Sequence, residues 1–289
     1  TSGIVLGQCD ANQRPSNIQI RRSVVVDSYT TGVNHPQGII AGETDGLLIE
    51  ECVVDHNGWL ESVPGAVPTM FRHYPYLSQG CTSAVTRGNV VARAGSTGIS
   101  QRGGGVSEDN LCLQNPLNLD FGHGQMAATG QTASGLIRNN VVLDSRNIDA
   151  ANPRGSGIGA CYAKDVEISG NIVAQQRSGT ANVCAFEISG TYQNLTIRNN
   201  VVVNWAEPGF LYAGALKFTG TALGPVVVRD NVFQQGLAGT QPGSLIYQEP
   251  AATFFTYSGN RYWTPNTGAN VMTMGVTYAQ WLTMSGETG

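Results

Sequence analysis

The sequence predicts an all-β chain wound as a parallel β-helix, a single-stranded solenoid, and three observations carry that reading. A phrase ending in Asn and followed by a short β-branched run recurs along nearly the whole chain. Its period stays close to 30 residues, which is a solenoid signature. Each copy reads as strand, polar corner, strand, because apolar and polar residues alternate on both sides of the Asn.

The clearest copy is Leu195-Thr196-Ile197-Arg198-Asn199-Asn200-Val201-Val202-Val203, echoed by Leu136-Ile137-Arg138-Asn139-Asn140-Val141-Val142. With the Asn as ruler, the equivalent positions are Ser23, Cys52, Asn89, Asn110, Asn140, Asn171, Asn200, Asn231 and Asn260. The spacings are 29, 37, 21, 30, 31, 29, 31 and 29 residues. A third strand lies between copies, announced by segments such as Gly38-Ile39-Ile40, Gly98-Ile99-Ser100, Gly157-Ile158-Gly159, Ala215-Leu216-Lys217-Phe218 and Ser244-Leu245-Ile246-Tyr247. About nine such three-strand coils, stacked at ~4.8 Å, make a rod of roughly 40 Å. The recurrent Asn suits a left-handed bend, and its amide can bond its equivalents in a ladder. A leucine-rich repeat would place helical, Leu-rich segments after the Asn, and a propeller needs a longer period. The stretches here are Gly-, Ser- and Thr-rich.

On these repeats the chain resembles the right-handed parallel β-helix proteins of the pectate-lyase-like superfamily, over almost its whole length. The resemblance implies one domain over 1–289, interrupted by an inserted loop at 53–88. It also implies a short capping helix at 276–286, where Tyr278, Trp281 and Leu282 fall at helical spacing. Ser2-Gly3-Ile4-Val5 reads as a strand entered in mid-coil, so further coils, a cap or a partner are expected at the N-terminal end. The resemblance further implies a secreted or cell-surface protein and a polysaccharide partner.

Composition excludes several classes. The net charge is −4, with only two Lys (Lys164, Lys217) and scattered Arg, so no basic face for nucleic acid is expected. No apolar run approaches the ~18–20 residues of a membrane span. Nothing resembles a phosphate loop, a dinucleotide fingerprint, a nucleophile elbow or a calcium loop. The cysteines show no metal-ligand spacing, so no metal or cofactor is assigned, although calcium stays open through the resemblance. Cys52, Cys112 and Cys184 read as small core residues, Cys9 and Cys81 as turn residues.

A solenoid's function tends to sit where its period fails. The 37-residue spacing after Cys52 is followed at once by the 21-residue one. The long copy carries His56, Trp59, Arg72, His73, Tyr74 and Tyr76, and the short one Arg93 and Arg102. Asp27, His56 and Arg93 each stand four residues past the ruler, so register places an acid, an imidazole and a guanidinium on adjacent strands. Together with a substrate carboxylate they form an acid–base set. His56, His73, Tyr76 and Arg102 are the expected catalytic groups; Asp27, Trp59, Arg72, Arg93 and Tyr74 are expected to hold substrate. His123 ranks second, and His35 reads as a loop residue. The resemblance supplies the substrate class, and the expected activity it implies is a lyase or epimerase acting on an acidic polysaccharide in a lateral groove. Two alternatives remain: a glycoside hydrolase using paired carboxylates, and a non-catalytic glycan-binding, adhesive or tailspike-like β-helix.

Overall fold

The computed structural model describes residues 2–7, 14–32, 34–149, 154–175, 184–205, 214–235, 245–249, 252–265, 272 and 276–287. Cys9 and Ser244, read above, lie outside them. The architecture is all-β, with long parallel sheets and a short C-terminal helix. Its curled parallel sheets are compatible with a parallel β-helix or solenoid.

The smaller sheet is the simplest expression of the repeat. Its nine strands begin one residue after each ruler position, from Val24–Val26 to Arg261–Trp263, and pair in sequence order. Alternation decides which side chain faces in. The central residues Val25, Val54, Val91, Cys112, Val142, Val173, Val202 and Phe233 are buried. Each aliphatic one is worth ~1.5–3 kcal/mol in apolar area removed from water. The outward first positions are also apolar: Val24, Val53, Val90, Leu111, Val141, Ile172, Val201 and Val232, until Arg261 ends the row.

The second sheet has 17 strands and fuses two further series through the long strands Ser156–Ser169 and Cys184–Arg198. One series contains the predicted between-copy strands, at Ile39–Ala41, Thr97–Gln101, Gly214–Phe218 and Ile246–Gln248. It also contains two that the sequence reading passed over, Tyr76–Leu77 and Leu117–Phe121. The first of these narrows the expected insertion. Tyr76–Leu77 pairs with Ile40–Ala41 on one side and Ser100–Gln101 on the other, and Val85–Arg87 is a strand as well. The irregular part of 53–88 is therefore essentially 56–75.

An asparagine ladder threads the corner between the sheets. Each Oδ1 from Asn89 to Asn260 accepts the backbone N–H of the preceding ruler residue, beginning with Cys52 N–H at 3.0 Å. From Asn110 onward it also accepts the preceding Asn Nδ2 at 2.8–3.0 Å. These amides are at most 5% exposed, so every bond is made away from water. The left-handed bend falls one residue earlier than expected: Arg22, Glu51, Asp109, Asn139, Asn199 and Asp230 have φ between 49° and 56°, with Gly at the remaining corners. The ladder ends on Glu287, whose Oε1 accepts Asn260 N–H and Nδ2 at 2.8 Å while Oε2 accepts Tyr262 O–H at 2.8 Å.

The short copy closes by a different device. Gln101, fully buried, donates to Ala84 O at 3.0 Å and Gly104 O at 2.7 Å, and its Oε1 accepts Thr86 Oγ1 at 3.1 Å. A polar bridge thus replaces the apolar filling of a longer turn. At the C-terminus the helix Tyr278–Ser285 is opened by a capping box on Thr277 and Gln280. It lays Trp281 edge-on against Tyr257 at 4.8 Å and Tyr278 against Tyr262 at 5.9 Å.

Candidate functional site

The residues singled out in the sequence fall into two groups on separate parts of the surface lining. The first group surrounds His56. Its Nδ1 lies 2.8 Å from Asp27 Oδ1 and its Nε2 lies 2.7 Å from Glu61 Oε2. A neutral ring donates from one nitrogen only, so both contacts are donated bonds when the ring is protonated. Trp59 stands edge-on to His56 at 4.8 Å, and its indole N–H donates to Arg93 O at 2.9 Å. Arg93 forks onto Asp55, at 2.8 and 2.5 Å. Asp27, His56, Arg93, Gln114, Asp144, Gln175 and Asn204 all have φ between 51° and 56°. The position shared by the predicted acid–base set is thus a left-handed corner of the backbone, repeated in copies that carry no acid–base group.

Two expected substrate contacts are structural. Tyr74 is fully buried, and its hydroxyl donates to Ala92 O at 3.1 Å, so no polymer can reach it. Arg72 is 2% exposed and clasps the loop by donating to the carbonyls of Gly58 at 2.7 Å, Gly32 at 3.1 Å, Asn34 at 3.4 Å and Val67. A guanidinium's fixed fork suits it to holding several carbonyls at once.

The second group does converge on a cavity. His73, Tyr76 and Arg102 line a hollow of about 350 Å³ together with His35, Asp120, His123 and Arg154. Strand pairing builds its floor. Its floor residues Tyr76, Ser100 and Asp120 share one register position on successive strands, which Gly159, Glu187 and Lys217 continue beyond the hollow. All lie on the face opposite the core residues Ile99, Leu119, Ile158, Phe186 and Leu216. The irregular segment 56–75 supplies His73 and Phe71 above this floor, and Phe71 packs on His35 at 4.8 Å. Tyr76 is sandwiched, with the His73 ring 5.5 Å away on a near-parallel plane and the Arg102 guanidinium 4.5 Å from its centroid.

Two features make this hollow chemically unusual. Arg102 is 8% exposed, and its Nε has no hydrogen-bond partner among the described residues. His73 is 5% exposed, and its Nδ1 is likewise unpartnered. Buried polar atoms without partners are rare and costly, and both belong to residues that line the hollow. Burial pushes the His73 imidazole well below its ordinary value, aided by Arg102, Arg154, His123 and His35, so the ring is held neutral. Burial also lowers His123. Asp120 goes the other way: burial, with Glu187 contributing, raises its carboxyl to about 7 against the pull of Arg154 and Arg102. Gly159 makes room for that carboxyl, since a Cβ there would stand 2.6 Å from Asp120 Oδ1.

Asp120 and Arg154 were not read from the sequence, and His35 was set aside. A parity argument extended to Leu117–Phe121 would have found Asp120, because Asp120 stands in register with Ser100. Nothing local marks Arg154 or His35, which reach the hollow from irregular segments. No group of His, Cys, Asp and Glu suited to holding a metal ion occurs among the described residues. Nor does a helix there have the length and apolarity to cross a membrane. No family model, curated protein or solved structure matches the chain.

Proposed function

We propose that the chain is a right-handed parallel β-helix of nine coils, exported from the cell, that acts on an acidic polysaccharide by lyase or epimerase chemistry in the hollow around His73. The fold part of this reading is supported by the unbroken pairing of nine strands one repeat apart and by the helix and Glu287 closing the C-terminal end. The single observation that supports the chemistry is a buried guanidinium with no carboxylate partner among the described residues, Arg102, beside a histidine held neutral, His73.

In this reading Arg102 receives the uronate carboxylate. Pairing with the cation stabilises the carbanion that forms when the proton next to that carboxylate leaves. His73, neutral and within the hollow, takes the proton as general base. A second group returns a proton, to the departing glycosidic oxygen in elimination or to the opposite face of the carbon in epimerisation. Tyr76, stacked on His73 at 5.5 Å, is suited to give its proton to a glycosidic oxygen leaving on the same side as the base, which favours elimination over epimerisation. The His56 group is left with a structural role.

The test is a panel of uronate polymers. A lyase yields an unsaturated product seen by its ultraviolet absorbance, and His73→Gln and Arg102→Gln should each lower kcat/KM at least about a hundredfold. His56→Gln should change it little. No unsaturated product and no epimerised residue on any polymer would end this reading.

One observation favours a second reading. Asp120 and Glu187 share a register position two strands apart, about 9.6 Å from strand spacing, with side-chain-free Gly159 between them. That backbone spacing leaves room for the ~6.5–9.5 Å carboxyl separation of inverting glycosidases, and a carboxyl raised to about 7 is suited to act as the acid. New reducing ends without unsaturated product, lost in Asp120→Asn and Glu187→Gln, would replace the lyase by a hydrolase.

A further inference from the structure

The outer face of the nine-stranded sheet carries an apolar stripe with no cover among the described residues. Val24 is 70%, Val26 46%, Ile172 43% and Trp263 53% exposed. The nine strands span about 38 Å, and with two outward residues per strand the stripe offers roughly 600 Å². Monomers seldom leave a larger continuous apolar patch to water.

The order of residues along the stripe is what identifies its occupant. Val141–Leu143 is the fifth of the nine strands. Reading outward from it, the first outward row matches Leu111 with Ile172, Val90 with Val201 and Val53 with Val232. The second outward row sets large against small, Leu113 with Ala174 and Ala92 with Val203, and then polar against polar, Asp55 with Gln234. We propose that this stripe is a dimer interface, covered by a second copy of the chain about a twofold axis that runs parallel to the strands over Val141–Leu143.

Such an axis reverses strand order and keeps strand direction, so each residue meets its counterpart just paired. Two sheets facing at ~10 Å let β-branched side chains from both copies interdigitate. An isologous contact needs one self-complementary patch, which the seven central strands provide; the outermost pair sets Val24 against Arg261 and Val26 against Trp263. Two such faces bury about 1,200 Å² together, the lower bound of a stable specific interface. Asp144 borders the stripe at the axis with its charge offset by Arg146 at 3.0 Å. The groove around His73 lies on the other sheet and stays open in the dimer.

The experiment is sedimentation or light scattering of the full chain over a hundredfold concentration range, with two kinds of variant. Wild type should show twice the chain mass, and Val141→Lys with Leu143→Lys should halve it while leaving the circular dichroism of the parallel sheets unchanged. Single cysteines test the axis without burdening the fold. Val141→Cys should crosslink to a band of doubled mass with a short bifunctional maleimide, because two introduced thiols face each other across the axis at the ~10 Å sheet spacing, too far for a direct disulfide. Val232→Cys should not, because its counterpart is Val53. A wild-type monomer throughout, a dimer unmoved by the lysines, a higher oligomer, or crosslinking by Val232→Cys in preference to Val141→Cys would each overturn the proposal.

Discussion

At the scale of single residues, burial moves two groups of the hollow in opposite directions, and both shifts favour the uncharged form. His73 is neutral because water cannot solvate its cation and four basic neighbours oppose it. Asp120 holds its proton to about 7, against the 3.8 of a free carboxyl. The stability consequence follows from linkage. The folded chain binds the Asp120 proton more tightly than the unfolded chain. The stabilisation so gained is full below about 3.8 and is lost as pH rises through about 7. Asp120→Asn removes this dependence. Thermal melts should therefore find the variant gaining on wild type at pH 8 relative to pH 4, and an equal difference at both values would contradict it. His56 teaches the converse lesson. A histidine between two carboxylates looks catalytic by composition, yet its backbone conformation is shared by six equivalent corners, including Gln114 and Asn204.

At the scale of elements, the asparagine ladder couples each copy to the next by amide bonds that water cannot replace. Removing one amide from the middle orphans donors on the preceding copy. Asn171→Ala leaves Asn140 N–H and Nδ2 without their acceptor and Ile137 O without its donor. The cost should be about 3 kcal/mol, read from denaturant unfolding. The ladder's last acceptor gives a sharper comparison. Glu287→Ala should destabilise, whereas Glu287→Gln retains an amide oxygen for Asn260 and an N–H for Tyr262 and should cost much less. If both variants melted alike, Glu287 would not be terminating the ladder.

At the scale of the whole molecule, each copy touches mainly its neighbours, so stability is approximately a sum of local terms and nearest-neighbour interfaces. Among the described residues the middle copies have partners on both sides, whereas Ile4–Leu6 and Val24–Val26 pair on one side only. Hydrogen exchange should accordingly be slowest in the strands Leu111–Leu113 through Val201–Val203. It should be fastest at Ile4–Leu6 and Val24–Val26, where Val5 and Val24 are 63% and 70% exposed. Uniform protection along the chain would instead mean a single cooperative unit.

Much of the architecture was legible because it is periodic. The Asn positions, the β-branched runs and their 30-residue recurrence define strands and corners locally, and parallel stacking then follows from repetition. The disturbed copies also pointed to His73, Tyr76 and Arg102, which the structure brings to one hollow. Register alone brought Asp27 to His56 at 2.8 Å, but it could not show that Arg93 is taken up by Asp55. Nor can it say that Tyr74 and Arg72 are consumed in pinning their own loop. Asp120, His35 and Arg154 meet His73 only because parallel pairing and irregular segments carry them there from distant positions. Periodicity is a property of neighbours along the chain; burial, and with it the protonation of His73 and Asp120, is a property of neighbours in space.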